Sequence, residues 1–198
     1  MTLSRLLALA AALGMATGVA SAQTPAAAPS PNSARQAVAE FSQEGLQRTE
    51  VRGLDVVFVS PGATLEGFTK VQLEPVSVTF RRNWERQAVA GTRTRVRAED
   101  VQRIRAQLAT LVEATVRDEL ERGGYVLVDD AGEDVLTVQM AVVNLNINAP
   151  DLPTPGRVNV YTTSVGEMSL VASLSDSSSG ELLVRVFDNP ASRQRTAG

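Results

Sequence analysis

The sequence EDVQRIRAQLATLVEATVRDELER at residues 99–122 decides the fold. Its apolar side chains recur every three or four residues, which is the spacing of one face of an α-helix. Glu99 and Asp100 lie in the first turn, where acidic groups favour the positive end of the helix dipole, and Gly123-Gly124 ends the helix. Because the other side is polar, the apolar stripe must pack against another element, most simply a β-sheet. The predicted stripe consists of Val101, Ile104, Leu108, Leu111, Val112, Thr115 and Leu120.

Apolar, β-branched runs on both sides of this helix predict the strands. Pro75 interrupts one of them, which indicates an edge strand or a bulge. In the longest run the apolar pattern changes face near Val142 and Val143, which predicts a bulge there. This order predicts an α+β fold, a two-layer sandwich in which one long amphipathic helix packs on a mainly antiparallel sheet of about five or six strands. The predicted strands are residues 54–59, 71–80, 125–128 and 135–147, followed by a hairpin of residues 168–174 and 182–186.

Residues 1–22 predict a secretory signal peptide. Arg5 precedes an apolar run of about 14 residues, which is short of the roughly 20 needed to span a bilayer. Ala-Ser-Ala at positions 20–22 is a small-residue cleavage site. Cleavage between Ala22 and Gln23 would release a periplasmic or secreted protein with no transmembrane segment. The remaining chain is expected to comprise an Ala/Pro-rich flexible tether (23–33), a single α+β domain (34–188) and a disordered tail (189–198).

The composition excludes several classes of function. The chain of 198 residues has a net charge of −3 and contains neither His nor Cys. It therefore lacks imidazole general bases, thiol nucleophiles, disulfides and a lipid-bearing N-terminal Cys. No catalytic or nucleotide-binding spacing remains, so we predict no catalytic residue, no cofactor and no metal centre. Nucleic acid is not an expected partner of an exported, net acidic chain.

An Arg-rich segment, residues 81–105, is the first candidate site. Arginine binds phosphate and carboxylate groups through paired hydrogen bonds, and a tryptophan ring can stack on a ligand. The alternative is a solvated loop without a ligand. The predicted patch for an anion or a partner consists of Arg81, Arg82, Trp84, Arg86, Arg93, Arg95 and Arg97.

An acidic turn is the second candidate site. Asp129, Asp130 and Asp134 offer carboxylate oxygens that suit Ca²⁺, although their spacing departs from that of an EF-hand loop. A carboxylate pair that hydrolyses an envelope polymer is also formally possible. Any chain with 22 acidic residues offers such pairs by chance, so a solvated turn is the simpler interpretation.

Four blocks of sequence resemble a bacterial envelope family. They are LDVVFVSPG at 54–62, FTKVQLEPV at 68–76, VLTV at 135–138 and LSDSSSGEL at 174–182. The family is domain of unknown function 3313, and the resemblance covers residues 41–188. Many members resemble lipoproteins, whereas this chain has Gln23 where a lipid-bearing Cys would stand. The resemblance implies no activity and no catalytic residues. It also implies a further C-terminal helix, whose absence here could leave part of the sheet uncovered.

Three functions remain open. The leading hypothesis is a non-enzymatic binding or assembly module of the cell envelope, which contacts a protein or a cell-wall polymer through a sheet edge. An uncovered sheet face or edge would also permit a homo-oligomer. The alternatives are an anion or small-ligand binder that uses residues 81–105 and, less favoured, a carboxylate-dependent envelope hydrolase.

Overall fold

The computed structural model describes residue 31 and residues 33–82, 84, 98–147 and 165–190. Within these residues the chain forms two helices and eight strands, which confirms the α+β class. The elements in chain order are α1 (Ala34–Gln43), β1 (Gln47–Thr49), β2 (Val56–Val59), β3 (Lys70–Leu73), β4 (Ser77–Phe80), α2 (Ala98–Arg122), β5 (Val126–Leu127), β6 (Val135–Ile147), β7 (Val165–Asp176) and β8 (Leu182–Asp188).

All eight strands belong to one mixed sheet of order β1-β2-β8-β7-β6-β3-β5, and β4 pairs with β6 outside this order. The four pairings from β1 to β6 are antiparallel. β3 runs parallel to both β5 and β6, and β4 runs parallel to β6. The sheet is therefore larger than predicted, and its parallel part was not anticipated. The crossover from β4 to β5 runs through α2, as parallel connections usually do.

Pro75 accounts for one of the additional strands. The predicted strand 71–80 is divided into β3 and β4, which pair one after the other with β6. A proline has no N–H to donate to a ladder, so it separates the two segments. The other additional strand is β1, whose residues Gln47–Thr49 are polar and mostly exposed. Such a strand gives no apolar alternation from which it could be predicted.

One face of the sheet is covered by α2, as predicted. The helix begins one residue earlier than expected and ends at Arg122, where Gly124 has a φ of 87° and the Tyr125 N–H donates to the Leu120 carbonyl at 3.1 Å. This is a glycine-dependent helix termination. The buried side chains of the helix are Val101, Ile104, Leu108, Val116 and Leu120.

Two members of the predicted stripe were placed wrongly. Leu111 is 52% exposed, and Thr115 is also exposed, whereas Val116 is buried. After Leu108 the buried line continues in steps of four residues, because such steps advance only slightly around a helix. Leu111 and Thr115 lie on a neighbouring line and face solvent.

The opposite face of the sheet carries a third layer that the two-layer prediction lacked. Val56 and Phe58 point away from the α2 face because side chains alternate along a strand. They pack with Ala37 and Phe41 of α1, whose N-cap is Ser33. The short helix therefore covers part of the second face. This second core consists of Ala37, Phe41, Leu46, Val56, Phe58, Ala141, Val143, Val171 and Phe187.

The predicted bulge in β6 is confirmed, one residue further along the chain. Asn144 has a φ of 57°, and the pairing with β7 shifts between Val143 and Asn146. Val142 and Val143 are both buried, on opposite faces of the sheet, and Leu145 then joins the same core as Val142. The extra residue thus changes which alternate positions face α2.

Candidate functional site

The outer edge of β4 lies beside α2 and is one of the sheet edges left unpaired among the described strands. β4 pairs with β6, and none of the other described strands pairs with it. The Arg81 N–H donates to the Leu145 carbonyl at 2.9 Å, so alternate residues of β4 face β6. Because backbone groups alternate in direction along a strand, the N–H and C=O groups of Val78 and Phe80 point away from β6. They lie where an added strand would bond.

A groove of about 480 Å³ runs between β4 and α2. Val76 and Val78 are 7% and 5% exposed and form its apolar floor. Ala106 and Ala109 on the helix have small side chains, which leave room between the two elements. The lining consists of Val76, Ser77, Val78, Thr79, Gln102, Arg105, Ala106 and Ala109.

Arg105 is the only ionisable residue in the described lining of the groove. Its Nη1 donates to Gln102 Oε1 at 3.0 Å, and its Cζ lies 5.6 Å from the centre of the Phe80 ring. A cation over an aromatic face is attracted by the ring quadrupole. Phe80 in turn stacks on Trp84, with ring centres 4.5 Å apart and planes 9° apart. The guanidinium is therefore positioned by packing as well as by a hydrogen bond.

The predicted Arg-rich patch divides into three parts. Trp84 is 6% exposed and stacked on Phe80, so its ring belongs to the core and offers no face to a ligand. Arg81 forms an ion pair with Glu167 at 3.6 Å, and Arg82 is exposed. The remaining predicted members, Arg86, Arg93, Arg95 and Arg97, lie outside the described residues.

In the predicted acidic turn, the Asp134 carboxylate is bonded to other side chains of the protein. Asp134 accepts hydrogen bonds from Lys70 Nζ at 3.2 Å and Thr69 Oγ1 at 3.0 Å. These bonds, led by the one from Lys70, hold the pKa of the Asp134 carboxyl below its ordinary value of 3.8. Asp129 and Asp130 are exposed. Among the described residues, no cluster of three or more acidic side chains is placed to hold a metal ion.

Sequence reasoning missed the groove and its helix residues. Arg105 was counted in the Arg-rich segment but was not separated from the other arginines. The available signal was the pair Ala106 and Ala109 on the flank of an otherwise long-chained helix, opposite a strand that begins after Pro75. That signal becomes readable only when β4 is known to lie beside α2.

Within the described residues, the fold and the groove define an α+β protein with a mixed sheet and a long helix beside a strand edge that no second strand covers. Neither helix in the described part of the chain has both the length and the hydropathy required to cross a bilayer. Residues 36–196 match the family DUF3313, described as a protein of unknown function, and the chain belongs to this family. The match confirms the resemblance and extends beyond the range predicted for it at both ends. Comparison with curated proteins gives no match.

Proposed function

We propose that this protein is an exported, non-enzymatic module of the cell envelope, and that it binds an extended polypeptide segment of a partner protein as an added strand on β4. The observation that carries the proposal is the outer edge of β4, which no other described strand pairs with and which lines the groove beside α2. Strand addition uses backbone hydrogen bonds for affinity and side-chain pockets for selectivity. This site offers both.

The dimensions of the site favour a short peptide segment. β4 has four residues, Ser77–Phe80, so an added strand would pair along a similar length. Ladder bonds over so few residues give modest affinity, because each net hydrogen bond contributes about 1 kcal/mol. The apolar floor at Val76 and Val78 would add the burial of one or two partner side chains. Such a site suits reversible assembly.

Export and the absence of catalysis are supported by the sequence alone. Residues 1–22 carry the pattern of a signal peptide, and the chain has no His and no Cys. The anion-binding alternative loses support from the burial of Trp84. The calcium alternative at the acidic turn loses support from Asp134, whose carboxylate is held by Lys70 and Thr69.

A site-specific cross-linking experiment tests the proposal. A photoreactive residue is placed at the exposed Thr79 of β4 in the full chain, which is expressed with its own signal sequence in the native cell. The added strand should yield a cross-linked peptide that mass spectrometry identifies. Ala106→Trp should abolish this product by filling the groove, whereas Ala114→Trp, at an exposed position of the same helix outside the groove, should not. An equal yield in both variants would overturn the proposal.

A further inference from the structure

We infer that the added strand carries a large apolar side chain on its α2-facing side, and that Ala106 and Ala109 are the residues that select for it. This inference rests on the proposed strand addition at β4 and specifies the chemistry of the partner. The two alanines lie three positions apart, so they share one face of α2, and both line the groove. Their short side chains leave space between the helix and the strand edge.

The geometry of strand pairing determines which partner side chain enters this space. Side chains alternate along a strand, and Val78 faces α2, where it is 5% exposed. The residue of an added strand directly opposite Val78 would face the same way, with its Cβ about 4.5–5.5 Å from that of Val78. That side chain would lie between β4 and the two alanines. Its neighbours in the partner would point to the other side of the sheet, where Ser77 and Thr79 are exposed.

The size of the groove favours a side chain such as leucine, isoleucine or phenylalanine. Its volume of about 480 Å³ lies within the roughly 300–1,000 Å³ of pockets that bind small molecules, so a large side chain can enter. A small side chain would bury less apolar surface and would leave the lining of the groove without contacts. The partner segment should therefore alternate, with an apolar side chain toward α2 and polar side chains at the neighbouring positions.

An extended segment of another protein fits this edge better than a second copy of the chain. If two copies paired β4 against β4, Val78 of the second copy would already be buried under its own helix and would leave the groove unfilled. The edge strand β1, with the sequence Gln-Arg-Thr, offers no apolar side chain either. β4 has four residues, which extend only about 13 Å, whereas stable interfaces between folded proteins bury about 1,200–2,000 Å².

Selection from a random peptide library tests the inference. Short peptides are displayed to the full exported chain, and the binders retained are those that fail to bind Ala106→Trp but still bind Ala114→Trp. A large apolar residue should be enriched at one position of these binders, with polar residues on either side of it. Replacing that residue by alanine should weaken binding to the wild-type chain about tenfold, which is the loss expected when one large apolar side chain is no longer buried.

Variants of the protein assign the size preference to the alanines of the groove. Ala106→Leu partly fills the groove, so the selected peptide and its alanine variant should bind within about twofold of each other. Ala114→Leu adds the same side chain at an exposed position of α2 outside the groove and should leave the tenfold difference intact. Ala106→Met, with a more flexible side chain, is a second variant in which the difference should also shrink. Urea unfolding of each variant checks that the fold is retained.

A scan of single N-methyl groups along a selected peptide tests the strand addition itself. Only alternate N–H groups of an added strand face β4, so N-methylation should weaken binding at every second residue of the paired segment. This readout is independent of the size of the side chain in the groove.

The possible failures are distinguishable. Binders that show the alternating effect of N-methylation but no preference for a large apolar residue, or a preference that Ala106→Leu leaves unchanged, would overturn this inference and leave strand addition standing. A lack of binders that depend on Ala106, or binders without the alternation, would overturn the proposed function and this inference together. A concentration-dependent dimer that Ala106→Trp abolishes would identify a second copy as the occupant and would also overturn the inference.

Discussion

Arg185 and Glu44, which are 141 residues apart in the sequence, form a two-point ion pair that fastens the end of α1 to β8. Arg185 Nε donates to Glu44 Oε2 at 3.0 Å, and its Nη2 donates to Oε1 at 2.6 Å. Its Nη1 also donates to Ser173 Oγ at 3.0 Å, and its Cζ lies 5.1 Å from the centre of the Phe41 ring. The pair therefore joins the short helix, β7 and β8 at one point.

Removal of this pair should loosen α1 from the sheet. The two side chains are 15% and 26% exposed, so solvent screens them less than a fully exposed pair. A double-mutant cycle with Arg185→Gln and Glu44→Gln should give a coupling free energy of about 1 kcal/mol in urea unfolding. The more exposed pair of Arg117 and Glu113 on α2 is the matched control and should give about 0.3 kcal/mol. Equal coupling in the two pairs would contradict the role assigned to Arg185.

The sequence predicted those features that depend on local pattern. Glu99 and Asp100 indicated the start of α2, Gly124 its end, and Pro75 the interruption between β3 and β4, because each acts on its own segment of backbone. The sequence pattern could not predict that Arg185 contacts Glu44 or that Arg105 lies above Phe80. Such contacts depend on which strands become neighbours. The same strand order leaves the outer edge of β4 without a partner among the strands that the structure describes.

The face of α2 that meets the sheet can be tested by introducing a charge. Leu108 is 8% exposed and Leu111 is 52% exposed. Leu108→Asp should destabilise the protein by several kcal/mol, because it places an unpaired charge in the core. Leu111→Asp should change the free energy of unfolding by only about 0.5 kcal/mol. Thermal or urea unfolding compares the two, and similar losses would show that the helix is rotated from the orientation described.

The ion pair of Asp134 with Lys70 predicts a dependence of stability on pH. Because the folded-state pKa of Asp134 lies below 3.8, the ionised carboxyl stabilises the fold. This contribution is fully present above the unfolded-state pKa and is lost as the pH falls through the lower folded-state value. Asp134→Asn should therefore lower the urea midpoint at pH 7, and its difference from wild type should shrink as the pH falls below 3.8.

A matched substitution controls for that experiment. Asp130 is exposed in the same turn, and Asp130→Asn should leave the urea midpoint close to that of wild type at pH 7. A difference between wild type and Asp134→Asn that stays constant from pH 7 to about pH 3 would show that the carboxylate charge does not stabilise the fold.

The bulge in β6 makes a last prediction about Asn144. Its φ of 57° lies in the left-handed region, which costs most residues with a side chain about 1 kcal/mol or more, and glycine very little. Asn144→Ala should lower the free energy of unfolding by about 1 kcal/mol, whereas Asn144→Gly should stay within about 0.5 kcal/mol of wild type. Ala141 lies in the regular part of β6 and is the control position. There glycine should be less stable than alanine, so Ala141→Gly should lower the free energy of unfolding. Equal effects of alanine and glycine at position 144 would show that the extra residue of the bulge lies elsewhere in β6. The change of face that pairs Leu145 with Phe80 would then also begin at another residue.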